Sequence, residues 1–290
     1  VVWNGLKPVF VDCDIDTYNI DPAEVEKSIT RRTSAIVAVH VFGNPPDIDA
    51  LTKIARKRNL KLIFDAAHGL GSIYKGKKVG CFGDAESFSL SPTKLLTTGE
   101  GGIVTTNSDD IASFVRAGRT YGDLGSYDPE FSGLSSRMTE FSALLGIEGL
   151  DILEENAGRR NKIAGLYKEL LSEMPGVSFQ KIDKALRSSY KDFSILIDEA
   201  AFGLTRDALF DSLAAENINA KKYFCPPVHR QRAFAAFGQR DKALKNTEKL
   251  SLGSLSLPLY SDMPESDVKK ICLAVRRVYH YGGEILKAKR

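Results

Sequence analysis

The sequence has 290 residues, of which 43% are hydrophobic and 27% are charged, as in an ordinary globular protein of one large or two modest domains. A net charge of +3 is too small and too evenly spread to indicate nucleic-acid binding. No apolar run is long enough to span a membrane. The four cysteines are far apart and lack CxxC spacing, so we expect no metal site, no disulfide framework and a reducing, cytoplasmic location.

The first part of the chain alternates short apolar runs with helical patterns. Asp21 and Pro22 mark a helix start, because aspartate caps helices and proline suits the first helical position. Such a rhythm with short loops is typical of a parallel or mostly parallel sheet with right-handed crossovers. We predict strands at residues 7–11, 35–39, 61–64, 87–90 and 102–106, and helices at 47–58 and 109–117.

The second part begins with a polar, glycine-rich loop at 119–136, and loops of this length are usually functional or mobile. A long helical pattern over 138–170, with a bend expected near Gly158, leads to a smaller domain. We therefore predict a large domain over 1–150 and a small C-terminal domain over 151–290. In the latter we predict strands at 192–197 and 219–224 and helices at 205–215 and 265–279, and the segment 255–259 helps to close the domain.

Two reactive side chains follow predicted strands in the middle of the chain. Asp65 ends the run Leu62–Phe64, and Lys94 follows the strand at 87–90 after a Ser-Pro-Thr break. Open α/β sheets bind ligands at the carboxyl ends of their strands. A carboxylate and a lysine there are what pyridoxal 5'-phosphate (PLP) requires, because the lysine amine forms a Schiff base and the carboxylate keeps the ring nitrogen protonated.

Each of these residues also has an ordinary structural explanation. An aspartate after a strand is often a helix cap, and a lysine after a turn is usually a solvated surface residue. The ordered combination, followed by Gly99-Glu100-Gly101-Gly102, favours the cofactor site.

Four motifs in this order carry a resemblance to a known family. They are Asp65-Ala66-Ala67-His68, Tyr74 to Gly80, Ser89 to Lys94, and Thr97 to Gly102, with 29 residues from Asp65 to Lys94. The chain resembles the DegT/DnrJ/StrS family of sugar aminotransferases, which are PLP enzymes of fold type I. This resemblance implies an α/β fold type I transferase, with a mostly parallel central sheet, helices on both faces and a smaller α+β C-terminal domain.

The resemblance also implies roles for individual residues. Lys94 would attach to PLP, Asp65 would face the ring nitrogen, Ser89 would hold the phosphate and His68 would lie beside the ring. The family motif G-x-N-x-R-M has an asparagine that reaches the cofactor phosphate of a neighbouring subunit. This chain has Ser135 there, which can still donate a hydrogen bond but has a shorter reach.

The function implied is transfer of an amino group from L-glutamate to C3 or C4 of a nucleotide-diphosphate-linked keto sugar. The family resemblance also implies a homodimer with shared active sites. The alternative is a non-catalytic or regulatory PLP-binding homologue. Lys94 argues against the dehydratases of the family, which have histidine there, and Thr93 against the cysteine desulfurases. Relative to the family, several dozen N-terminal residues are expected to be missing before Val1.

Three further polar residues have both a functional and a structural interpretation. His40 and Asn44 lie in a predicted strand-end loop, where they could approach the cofactor or simply shape a turn. His229 follows the predicted strand at 219–224 and could face the substrate pocket.

Overall fold

The computed structural model of the protein describes residues 1–237 and 243–288. The chain forms two compact units, each made of segments that are distant in sequence. The sheet unit contains Arg31–Gly158 and Asp183–Lys191, and the second unit contains Val1–Thr30, Arg159–Ile182 and Asp192–Arg290. These units consist of discontinuous segments, whereas the domains expected from the sequence are consecutive, at 1–150 and 151–290. The domain boundary at residue 150 stays a prediction.

Helices and strands are interspersed along the chain without strict alternation. The helices are α1 Pro22–Ser28, α2 Ile48–Arg58, α3 Asp109–Gly118, α4 Glu140–Asp151, α5 Leu153–Leu171, α6 Glu199–Phe202, α7 Arg206–Ala215, α8 Lys245–Gly253, α9 Glu265–His280 and α10 Gly282–Ala288. The strands are β1 Ala35–Val39, β2 Lys61–Asp65, β3 Ile73–Tyr74, β4 Lys77–Lys78, β5 Ala85–Ser89, β6 Gly102–Thr105, β7 Val177–Phe179, β8 Leu186–Arg187, β9 Phe193–Ile197 and β10 Ser254–Leu257.

The sheet unit is built on a four-stranded sheet with the strand order β1-β2-β5-β6. Strands β1, β2 and β5 are parallel, and β6 is antiparallel to β5. Val39 pairs with Asp65, and Asp65 pairs with Ser87, so the three parallel strands end at the same edge. The mostly parallel α/β sheet that the sequence predicts is confirmed.

The two faces of this sheet are buried to different degrees. One face carries core side chains, namely Ile36, Ala38, Leu62, Phe64 and Phe88. On the other face Val37, Val39 and Val104 remain 42%, 38% and 43% exposed. Because side chains alternate along a strand, Asp65, Ser87 and Ser89 lie on this more exposed face.

Side-chain caps fix the starts of several helices, and the cap predicted at Asp21 is confirmed. Asp21 accepts a hydrogen bond from the Ala23 N–H, and Asp47 accepts one from the Ala50 N–H. The predicted continuous helix over 138–170 is wrong in one respect: it is two helices, α4 and α5, which meet at Ile152. The helix is interrupted there and not at Gly158, which lies inside α5.

The second unit has an antiparallel sheet with the strand order β10-β9-β7. Every residue of β9 and β10 is buried, so both faces of these strands are covered. Phe193 of β9 stacks on Tyr167 of α5 with ring centroids 4.8 Å apart, and the Tyr167 hydroxyl donates to the Pro258 carbonyl. This sheet is therefore the core of its unit.

Two predicted strands are wrong. Residues 7–11 have no ladder partner among the described residues, and Asp12 accepts the hydrogen bonds that anchor the segment, two of them from the N–H groups of Asn246 and Thr247. Residues 219–224 make only an isolated bridge, between Lys221 and Ser256. Lys221 and Ser256 exchange backbone hydrogen bonds of 2.9 and 2.8 Å, but the pairing does not extend along the segment.

Candidate active site

Asp65 lies at the carboxyl end of β2, between the ends of β1 and β5. Its backbone carbonyl accepts a hydrogen bond of 3.1 Å from the His40 N–H, which continues the pairing with β1. Its carboxylate oxygen Oδ1 accepts a 3.0 Å hydrogen bond from the Ala67 N–H. The side chain is half-buried. The Asp65 carboxylate, with one oxygen hydrogen-bonded to Ala67, thus lies at the edge where such sheets bind ligands.

Ser89 ends β5 on the same face as Asp65. Its hydroxyl lies 3.4 Å from both the hydroxyl and the N–H of Ser91, which is long for a hydrogen bond. A hydroxyl engaged so weakly can donate to an incoming phosphate oxygen.

Lys94 lies in the loop that leaves β5 and returns as β6. The loop turns at once, since the Lys94 N–H donates to the Ser91 carbonyl at 3.0 Å. The base of the loop is closed by hydrogen bonds from Leu90 N–H to Gly101 and from Thr98 N–H to Leu90. Leu96 anchors the loop in a cluster with Leu90. Lys94 is therefore carried by a short loop tied at both ends to the strand that ends in Ser89.

His68 lies in the loop after β2, three residues beyond Asp65. Its ring is nearly parallel to that of Phe42, with centroids 6.4 Å apart. Its carbonyl accepts a 2.6 Å hydrogen bond from the Ser189 hydroxyl. Gly43 is required beside this contact, because a Cβ there would lie 2.1 Å from the Ser189 Oγ.

Ser189 belongs to the segment Asp183–Lys191, which returns to the sheet unit from far along the chain. The guanidinium of Arg187 in this segment donates twice to the Gly71 carbonyl and pairs with Glu154 at 2.8 Å. The segment therefore fixes the loop after β2 from outside. Sequence reasoning missed it because nothing local marks a contact across more than 110 residues.

Ser135 lies on a separate loop, between α3 and α4. It forms a backbone bridge with Thr120, and its hydroxyl donates to the Tyr121 hydroxyl at 3.0 Å. The Arg137 guanidinium lies 5.8 Å from the centre of the Tyr121 ring. The hydrogen bond from Ser135 and the charge of Arg137 lower the pKa of Tyr121 below its ordinary value of 10.0. Ser135 thus belongs to an exposed cluster and not to the sheet edge.

The three other polar residues singled out in the sequence are all buried. His40 packs on Phe64, on the buried face of the sheet and away from the Asp65 carboxylate. Asn44 is buried in the loop after β1. His229 lies inside the second unit, 3.3 Å from the Glu248 carboxylate and beside Phe10.

One buried acidic residue was missed in the sequence although a signal was present. Glu86 stands in β5 at the alternating position that also carries Phe88, so its side chain points to the buried face. Its carboxylate oxygen Oε1 accepts hydrogen bonds from the Gly80 and Phe82 N–H groups at 2.8 and 2.7 Å. A charged residue at a buried strand position is the pattern that could have revealed it.

The donor set at the edge fits PLP. The cofactor needs a carboxylate for its ring nitrogen, a lysine amine for its aldehyde and hydroxyl or N–H donors for its phosphate. Asp65, the Lys94 loop and Ser89 supply these groups from neighbouring strands of one sheet. The roles of Lys94, Asp65, His68, Ser89 and Ser135 toward the cofactor remain predictions.

Two further observations concern the helices and the cysteines. None of the helices in the described part of the chain has the length and apolar character needed to cross a membrane. All four cysteines, Cys13, Cys81, Cys225 and Cys272, are free thiols. The cytoplasmic location stays a prediction.

Comparison with known proteins connects this geometry to a family. Residues 1–276 match the model of the DegT/DnrJ/EryC1/StrS aminotransferase family. The chain is 35% identical to dTDP-3-amino-3,6-dideoxy-alpha-D-galactopyranose transaminase of Aneurinibacillus thermoaerophilus, over 94% of this chain and 73% of that protein. It is 34% identical to dTDP-4-amino-4,6-dideoxy-D-glucose transaminase of Escherichia coli, over 93% of this chain and 73% of that protein.

A solved structure is also similar to this chain in fold. The crystal structure of DesI in the presence of its TDP-sugar product superimposes with a TM-score of 0.92 at 35% identity, covering 100% of this chain and 73% of that one. The predicted fold, enzyme class and cofactor are confirmed at the level of the family. The chain belongs to the DegT/DnrJ/EryC1/StrS family of PLP-dependent sugar aminotransferases.

Proposed function

We propose that this protein transfers an amino group from L-glutamate to the C3 or C4 ketone of a nucleotide-diphosphate-linked sugar, and that it works as a homodimer in the cytoplasm. The observation that carries the proposal is the arrangement at the carboxyl edge of the sheet. A carboxylate, a hydroxyl and a lysine-bearing loop lie on adjacent strands, in a chain whose relatives are named as transaminases of 3-amino and 4-amino sugars.

Each residue at the edge has a distinct task in this proposal. PLP, when bound, supplies an electron sink that stabilises negative charge on the substrate carbon bonded to nitrogen. Asp65 accepts a hydrogen bond from the protonated ring nitrogen, and Ser89 donates one to the phosphate. The Lys94 amine would hold the cofactor through its aldehyde carbon. As a free amine, Lys94 would also be the base that moves a proton from the substrate carbon.

The homodimer is supported by the surface of α4. This helix has no buried residue, and it exposes the apolar side chains of Phe141, Leu144, Leu145, Ile147 and Leu150. A contiguous apolar surface of this kind usually marks an interaction site. A second copy of the chain would cover it, and sedimentation velocity would show whether Phe141→Glu shifts the protein from dimer to monomer.

The test of the reaction is a transfer assay. The protein is incubated with PLP, L-glutamate and a panel of nucleotide diphosphate sugars that carry a ketone at C3 or at C4. Mass spectrometry should detect an amino sugar together with 2-oxoglutarate, and fragmentation assigns the aminated carbon. Lys94→Ala should abolish the product. Lys77→Ala is the matched control, because Lys77 is exposed in the short strand β4.

Two outcomes would contradict the proposal. Protein that binds PLP but accepts no amino donor would support the non-catalytic or regulatory homologue. Product formation that survives Lys94→Ala would show that another group does the chemistry.

A further inference from the structure

A buried histidine–glutamate pair lies on the face of the sheet opposite the Asp65 carboxylate. The His40 Nε2 is 3.5 Å from the Glu86 Oε2, and both side chains are 0% exposed. No hydrogen-bond partner to either of these two atoms, or to the His40 Nδ1, is present in the described part of the chain. Burial has therefore removed these three atoms from water. The contact between the His40 and Glu86 side chains is the main compensation for their lost hydration.

The pair connects three segments, namely the end of β1, strand β5 and the turn before β5. His40 is the first residue after β1, and Glu86 belongs to β5. Glu86 also holds the turn before β5 through the N–H groups of Gly80 and Phe82. The His40 ring packs against the loop after β2 so closely that a Cβ on Gly69 would lie 3.2 Å from the ring.

Stability alone does not account for this arrangement. Replacing a buried ion pair by apolar side chains of similar volume is often neutral or stabilising, because desolvation offsets the attraction. The neighbouring positions on this face are occupied by Phe64 and Phe88. Two facing polar side chains provide what an apolar contact lacks, namely a preferred direction between two particular atoms.

We infer that His40 and Glu86 form a positioning pair that holds the carboxyl ends of β1 and β2 in register, and thereby fixes the Asp65 carboxylate. The connection is short. The His40 Nε2 faces the Glu86 Oε2, and the His40 backbone N–H donates to the Asp65 carbonyl at 3.1 Å. The Asp65 side chain in turn accepts a hydrogen bond at its Oδ1 from the Ala67 N–H. Only the identity of the group that Asp65 contacts rests on the proposed function.

The variant Glu86→Gln tests the pair with little change in shape. Glutamine keeps the side-chain oxygen that accepts from Gly80 and Phe82 but loses the charge that faces His40. The matched control is Glu173→Gln, the same chemical change at an exposed position of the second unit. His40→Asn and the double variant complete a double-mutant cycle.

The first measurement is amide hydrogen exchange by NMR, which needs no cofactor. In Glu86→Gln, exchange at the His40 and Ala67 amides should accelerate about tenfold. Exchange at Leu62, whose N–H donates to Asp84 near the start of β2, should change less than about twofold. The control variant should match the wild type at all three amides.

The second measurement is the affinity for PLP, followed by its visible absorbance. Each single variant should weaken binding about tenfold, and the double variant should be no weaker than the singles, because the two residues act as a unit. Uniform acceleration of all three amides, or unchanged exchange at His40 and Ala67, would overturn the positioning role. If the wild type does not bind PLP, the proposed function fails while the exchange result still decides the pair.

Discussion

The two units each contain a sheet, and the sheets differ in how their faces are covered. In the second unit, β9 and β10 are buried on both faces and consist mainly of apolar side chains. In the sheet unit, one face is buried and the other carries Asp65, Ser87 and Ser89 beside partly exposed valines. The sheet of the second unit serves only as a core, whereas the four-stranded sheet combines a core with a row of polar side chains.

This difference shows how one sheet can provide both stability and chemistry. Alternation along each strand sends apolar side chains to one face and polar ones to the other. The strand ends then bring side chains from separate segments to a common edge. Substitutions in the fully buried sheet should therefore act on stability, and substitutions at the polar edge of the half-covered face should act on the cofactor.

The largest effect on stability is expected from Phe193→Ala in β9. Phe193 is 2% exposed and stacks on Tyr167, so its removal should lower the free energy of unfolding by about 3–5 kcal/mol. Val39→Ala, on the exposed face of β1, should cost less than about 1 kcal/mol. Urea denaturation measures both values, and equal losses would remove the contrast between the two sheets.

The next effect is expected from Asp65→Asn. Asparagine can still accept the hydrogen bond from Ala67, so unfolding should change little. The lost charge should weaken PLP binding by about 1.5–3 kcal/mol, or about 10- to 150-fold, as for a hydrogen bond to a charged group. Absorbance titration gives the affinity. Wild-type affinity in this variant would exclude Asp65 from the cofactor site.

A smaller, pH-dependent effect is expected from Asp12 in the second unit. Burial alone would raise the pKa of Asp12, but hydrogen bonds from the Thr247 hydroxyl and from the N–H groups of Thr247, Asn246 and Cys13 outweigh burial. They hold the pKa below its ordinary value of 3.8. A lowered folded-state pKa contributes stability that is complete above the unfolded value and is lost as pH falls through the folded value.

Asp12→Asn should therefore destabilise the protein by about 1 kcal/mol at neutral pH. The difference from the wild type should shrink as the pH falls below 3.8. Denaturation curves between pH 7 and acid would show it. A difference that does not depend on pH would mean that the charge of Asp12 contributes nothing.

The smallest effect concerns the exposed loop that lies outside both sheets. Ser135→Ala removes the hydrogen bond to Tyr121, so the pKa of Tyr121 should rise toward 10.0. NMR titration of tyrosines labelled at Cζ follows this single group. Tyr127 is almost fully exposed in the same loop and serves as the internal reference. An unchanged Tyr121 would show that Ser135 does not contact it in solution.

Much of the sheet unit could be predicted from the sequence because its signals are local. The apolar runs at 35–39 and 62–64 and the helical pattern that begins at Asp47 mark elements that the structure confirms. Asp65 and Ser89 are found at the strand ends where the motif implied them.

What could not be predicted depends on contacts between distant segments. Residues 7–11 have strand-like composition, but the carboxylate of Asp12 anchors them to α8 without a ladder. The contact of Ser189 with His68 spans 121 residues. No local pattern encodes such contacts, because they exist only once the fold has brought the segments together.

The most direct test of the cofactor site is to find the lysine that carries PLP. The protein is loaded with PLP, reduced with borohydride and digested, and the phosphopyridoxyl peptide is identified by mass spectrometry. We expect a single label on Lys94. A label on another lysine, or none on the Lys94 peptide, would contradict the assignment of the carboxyl edge as the cofactor site.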